Sequence, residues 1–147
     1  MMKLNKLTDY AVLMLTRMGE SPGEVFTVPQ LAQESGVPQP TVAKLMKLLG
    51  RGGIVNSQRG ASGGYTLHGT PVDISVAQVI EALEGPISIT GCVEGGDTSC
   101  DSLPLCPMSG NWNRVNQAIQ EALEGVSLAD MTAPPVTFLT PNEAELG

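Results

Sequence analysis

Three cysteines, the only ones in the chain, lie close together as Cys92, Cys100 and Cys106, with seven and five residues between them. Several thiolates converge on one centre only if the backbone can fold back on itself. Gly91, Gly95, Gly96, Pro104 and Pro107 supply the bends. Such a cluster suits a soft metal, or a redox event at the thiols themselves. The odd count would leave one thiol over in a pure disulfide scheme. No His/Cys or His/Asp pairing stands near a nucleophile, so enzyme chemistry is not expected.

The chain has 147 residues, enough for one domain with an appendage, and a net charge of −7. Its charge is unevenly spread. Residues 1–68 carry Lys3, Lys6, Arg17, Lys44, Lys47, Arg51 and Arg59 against four acids, whereas residues 69–147 carry only Arg114 against eleven. The first half therefore suits a polyanion and the second does not. Met1 to Met18 is interrupted by Asp9, Thr16 and Arg17, and no small-residue cleavage site follows, so it does not read as a signal peptide. No apolar run is long enough to span a membrane. A cytosolic protein with reduced thiols is expected.

The elements that would position these groups can be read in order. Leu4, Leu7, Ala11, Met14 and Met18 form the apolar stripe of a first helix ending near Gly19. Thr27 opens a T-x-x-Q box with Gln30, in which the threonine caps the helix and the glutamine reaches back. The second helix, Val28 to Ser35, stops at Gly36. The third opens with Pro40 and buries Val42, Leu45, Met46 and Leu49. Pro40, Lys44, Lys47 and Arg51 fall on its opposite face, with Thr41 at the flank. A short helix, a glycine turn and a helix with a basic outer face make a helix-turn-helix; an ordinary core helix with a solvated basic face is the plain alternative. Ile54 to Arg59 and Tyr65 to Leu67 then read as two strands around Gly60-Ala61-Ser62-Gly63-Gly64, a hairpin whose bare tip and adjacent Arg59 suit a wing on the minor groove. The expected DNA-binding set is Pro40, Thr41, Lys44, Lys47, Arg59, Gly60, Ser62 and Gly63.

In the second half, Ser75 caps a fourth helix with buried Val76, Val79, Ile80 and Leu83, terminated by Gly85-Pro86. After the cysteines, Trp112, Val115, Ile119, Ala122, Leu123 and Val126 form an apolar seam on a long helix from about Met108 to Glu124. That seam needs a partner, either its own domain or a two-fold mate. The fold class is mostly α with a small β-wing. Residues 1–70 form a winged helix-turn-helix domain, 71–131 the cysteine loop and dimerisation helix, and 132–147 an acidic, proline-containing tail.

With these parts in this order, the chain resembles the IscR/NsrR-type winged-helix regulators, and within them the branch that regulates the SUF iron–sulfur assembly system. The residues carrying the likeness are Lys6-Leu7-Thr8-Asp9-Tyr10-Ala11, Arg59-Gly60-x-x-Gly63-Gly64-Tyr65, Glu81-Ala82-Leu83-Glu84-Gly85-Pro86 and the cysteine triplet, and it covers about residues 1–131. The resemblance implies a homodimer on a palindromic operator, with Cys92, Cys100 and Cys106 holding a 2Fe-2S or 4Fe-4S cluster that controls DNA affinity. Two departures stand out. The first cysteine interval is longer than in the best-known members. The histidine that follows the last cysteine in IscR is Ser109 here. NsrR-like members can draw a ligand from the first helix, where Asp9 matches, although an acid there also suits the helix dipole. Glu94, Asp97 and Asp101 are further candidate ligands. A thiol switch or zinc site on the same DNA-binding frame, and a cluster carrier without any DNA role, are the alternatives.

Overall fold

The computed structural model describes residues 3–61, 63–89, 107–108 and 111–132. Helix α1 (Lys6–Gly19) begins where the Asn5 side chain accepts a hydrogen bond from the Leu7 amide at 3.1 Å, satisfying one of the free amides of the first turn. Leu4 consequently lies outside the helix and is exposed, rather than joining the apolar stripe. Thr8, Ala11, Met14, Leu15 and Met18 make up the buried face.

Helix α2 (Val28–Ser35) is capped by Thr27, whose hydroxyl accepts from the Gln30 amide at 3.2 Å. The reciprocal half of the expected box does not form. Gln30 points forward along the helix and donates to Glu34 at 3.4 Å, because Glu34 offers a carboxylate one turn on. Gly36 closes the helix at φ 76°, and α3 (Gln39–Arg51) starts one residue before Pro40.

Strands β1 (Val55–Gln58) and β2 (Gly64–Leu67) pair antiparallel, Val55 opposite Leu67 and Gln58 opposite Gly64. They are shorter than the expected hairpin: Ile54 turns inward to the core and Arg59 stays outside the ladder. A single 3-10 turn, Pro71–Asp73, leads to α4 (Val76–Glu84). There Ser75 and Gln78 form the reciprocal box that Thr27 and Gln30 do not.

Helix α5 runs Asn111–Glu124 among the described residues, and the Met108 carbonyl accepts the Asn111 amide ahead of it; the expected start near Met108 falls against residues outside those described. The chain then returns. Val126 and Leu128 exchange backbone hydrogen bonds with Val76 and Ile74, and a short helix α6 (Leu128–Thr132) packs on α1. Leu128 is fully buried and joins the cluster of Met14, Leu15, Phe26, Leu45, Leu49, Ile74 and Val79. One core therefore ties α1, α3, α4 and α6 together, each buried large apolar side chain worth about 1.5–3 kcal/mol. Helices α3 and α4 meet closely: a β-carbon on Gly52 would fall 2.7 Å from Ala82 Cβ.

Candidate nucleic-acid interface and its link to the cysteine segment

Helix α3 buries Val42, Leu45, Met46 and Leu49 and so turns Pro40, Lys44, Lys47 and Arg51 outward, all exposed, with Thr41 half-buried. The two ion pairs among the described residues both use Arg17, which reaches Glu34 at 3.0 Å and Glu20 at 3.1 Å and lies over the Phe26 ring. Arg17 is thus occupied within the fold, while the bases of α3 and Arg59 have no ion-pair partner among the described residues. An open groove of about 560 Å³ separates α3 from the hairpin and is lined by Lys47, Gly50, Arg51, Asn56, Ser57 and Tyr65. Such a groove, with two bases on one wall and an amide and hydroxyls on the other, can seat a phosphate backbone.

The glycines of the hairpin have separate physical reasons. Gly60 adopts φ 114°, a conformation that L side chains rarely adopt. A β-carbon on Gly63 would stand 2.6 Å from the Gln58 carbonyl oxygen, and one on Gly64 only 2.5 Å from that of Phe26. Phe26 and Tyr65 exchange two backbone hydrogen bonds of 2.8 Å, which fasten the wing to the loop before α2. At its base, Asn56 Nδ2 lies 3.1 Å from His68 Nδ1 and bridges the two strands. Ser62 lies outside the described residues.

Cys92, Cys100 and Cys106, with Glu94, Asp97 and Asp101, also lie outside the described residues, but the chain leading to them does not. Fully buried Thr8 donates its hydroxyl to the Glu84 carboxylate at 2.6 Å, joining α1 to the last residue of α4. Ile87 and Ile89 are each hydrogen-bonded to the side chain of Asn116 on α5. Asp9 sits exposed in the first turn of α1, beside Thr8. Among the described residues no group of three His, Cys, Asp or Glu side chains could hold a metal ion.

The profile of the Rrf2 family, described as iron-dependent transcriptional regulators, matches residues 4–134. The chain belongs to the Rrf2 family. The HTH-type transcriptional regulator NsrR of Bacillus subtilis is 29% identical over 131 residues, covering 88% of this chain and 90% of that one. The structure of CymR, the global cysteine regulator of B. subtilis, superposes with a TM-score of 0.69 at 26% identity, over 90% of this chain and 98% of CymR. T. potens IscR superposes with a TM-score of 0.63 at 28% identity, over 88% and 85% of the two chains.

Within this Rrf2 regulator, several groups of the candidate interface are not visible in the sequence alone. Arg51 was legible as part of a basic face, but Asn56, Ser57 and Tyr65 become groove residues only once the hairpin folds against α3. Phe26 carries no local signal for its pairing with Tyr65, thirty-nine residues away. The Thr8–Glu84 bond joins two segments of the resemblance, although nothing in either segment alone announces it.

Proposed function

We propose that this Rrf2 protein is a cytosolic, homodimeric, iron–sulfur-dependent transcription regulator, a repressor of SUF iron–sulfur assembly genes, and not an enzyme. The observation that carries the DNA-binding part is the exposed basic face of α3 beside a side-chain-poor wing held to the core through Phe26. The amino-terminal turn of α3, with Pro40, Thr41 and Lys44, enters the major groove. Lys47 takes a phosphate, and Arg59, Gly60, Ser62 and Gly63 follow the minor groove. The dimer reading rests on α5, where Trp112 and Val115 remain exposed on the single chain, with Val126 just beyond its end.

Cys92, Cys100 and Cys106 would hold the cluster, with Asp9 as the fourth ligand. Three soft thiols and one carboxylate fit iron bound to sulfide and do not fit a hard cation such as calcium. When bound, the cluster supplies a centre reactive toward oxidants and nitric oxide. The last turn of α4 meets the C-terminal cap of α3, Ala82 against Gly52, and reaches α1 through Glu84. It is therefore placed to couple the thiol site to the recognition helix, with a coupling of about 1–3 kcal/mol.

Purification without oxygen tests the reading. A coloured protein with visible absorbance and matched iron and sulfide supports it, and Arg59→Glu should then abolish operator binding while leaving the spectrum intact. A colourless protein, zinc-loaded or metal-free, favours the second reading: a thiol or zinc switch on the same frame. The likeness to CymR, a global cysteine regulator, is the observation on that side. A cluster carrier without a DNA role does not suit a member of a transcription-regulator family.

A further inference from the structure

Asn116 is the one buried residue of α5 among those described, only 6% exposed. It stands in line with the apolar seam, four residues after Trp112 and three before Ile119, where an apolar side chain would be the ordinary occupant. Both ends of its carboxamide are committed to a single stretch of backbone. Nδ2 donates to the Ile87 carbonyl at 2.9 Å, and Oδ1 accepts the Ile89 amide at 3.0 Å. The carbonyl of one residue and the amide of the residue two further on thus meet one carboxamide, much as they would meet the edge of a neighbouring strand. A slip of one residue would turn Ser88 toward the amide and break both bonds. The contact therefore sets register as well as position. Cys92 follows three residues after Ile89.

We propose that Asn116 is the positioning residue that ties the cysteine segment to α5, fixing where Cys92 enters relative to the dimer helices and thereby coupling the thiol site to operator affinity. This inference rests on the cluster reading above. A polar side chain kept in an apolar seam is best explained by the register it imposes, as in helical assemblies where one buried asparagine selects the alignment. The groove beside it, about 430 Å³ and lined by Glu81, Pro86, Ile87, Asn113 and Gln117, leaves room for a leucine at the same site.

The test compares wild type, Asn116→Leu and Asn116→Asp, all purified anaerobically, on a duplex that the wild type selects from a random pool. The leucine variant should fold and dimerise, yet lose its cluster about tenfold faster. Its ratio of operator affinities between loaded and cluster-free forms should collapse from about tenfold or more toward one. In the aspartate variant a carboxylate faces the Ile87 carbonyl at neutral pH and repels it. Lowering the pH protonates that carboxylate, restores a donor, and should restore the ratio. Glu81 of α4, the one titratable side chain lining the groove among the described residues, makes that protonation easier. The leucine variant should show no such recovery. A leucine variant with wild-type cluster lifetime and affinity ratio overturns the proposal. If the wild type carries no cluster, the cluster reading fails on its own, and deuterium uptake over residues 85–92 still decides Asn116. Faster exchange in the leucine variant supports the register role, and unchanged exchange overturns it.

Discussion

At the scale of single residues, the two contacts that matter most are side-chain hydrogen bonds whose worth depends on what surrounds them. Thr8 is fully buried and gives its hydroxyl to Glu84, whose carboxylate is open to solvent on its other side. Thr8→Val keeps the shape and removes the donor. Because Glu84 can turn to water, the loss should be about 1 kcal/mol, read as a fall of a few degrees in Tm at fixed protein concentration. No change in Tm would mean that the bond does not bind α1 to α4. Asp73 offers a pH-dependent counterpart. Its carboxylate accepts the Thr70 hydroxyl at 2.8 Å and the Thr70 amide at 3.1 Å, and these bonds hold its pKa below the ordinary 3.8. A depressed carboxylate pKa stabilises the fold above the unfolded-state value, and that contribution disappears as pH falls through the folded value. Wild type should therefore exceed Asp73→Asn in stability at neutral pH, with the gap closing in acid. A gap that persists unchanged to the acid limit would contradict the linkage. At this scale the sequence was legible where the partner is local. The Thr27 and Ser75 caps are three residues from what they bind, whereas Thr8 and Glu84 are seventy-six apart.

At the scale of elements, the hairpin shows why a glycine-rich motif is more than a turn. Tyr65 and Phe26 are hydrogen-bonded in both directions, and the Phe26 carbonyl lies where a Gly64 side chain would begin. Gly64→Ala must push the wing away from the core, since a backbone carbonyl cannot swing aside as a flexible side chain can. Gly53 has φ 75° but open space around it, so Gly53→Ala costs only the roughly 1–2 kcal/mol of a left-handed alanine. Gly64→Ala should therefore weaken operator binding far more than Gly53→Ala at similar loss of stability, measured by titration of labelled duplex beside thermal melts. Equal binding in the two variants would sink the view that the Phe26 tie positions the wing. Periodicity and glycine punctuation made α2, α3, α4 and the hairpin readable in advance. Helix α6 was not, because five residues carry too little pattern and its existence depends on Leu128 reaching the core of α1 and α4. The turn of Gln30 toward Glu34 was missed for a related reason: two local partners compete, and the sequence does not say which wins.

At the scale of the whole molecule, charge and the apolar seam make one joint prediction. The basic surplus of residues 1–68 lies on the half that carries α3 and the wing, so DNA binding should be driven by phosphate neutralisation and fall steeply with salt. If α5 pairs two copies across Trp112 and Val115, each bound dimer neutralises twice the phosphates that one chain can reach. The slope of log affinity against log salt is about −0.9 per phosphate neutralised. It should thus report the oligomeric state as well as the charge. Val115→Glu places two carboxylates against each other at a two-fold seam, yet Val115 is exposed in the single chain, so the variant should fold as a monomer. Sedimentation should then give half the mass, and the salt slope should fall to about half its wild-type value. Lys47→Gln should stay dimeric, and because it removes one contact per protomer its slope should shrink by about two units. The two outcomes separate the roles cleanly, since one variant changes the mass and the slope together and the other changes the slope alone. A Val115→Glu protein that remains a dimer with an unaltered slope would remove α5 from the interface and leave its seam in need of a different partner.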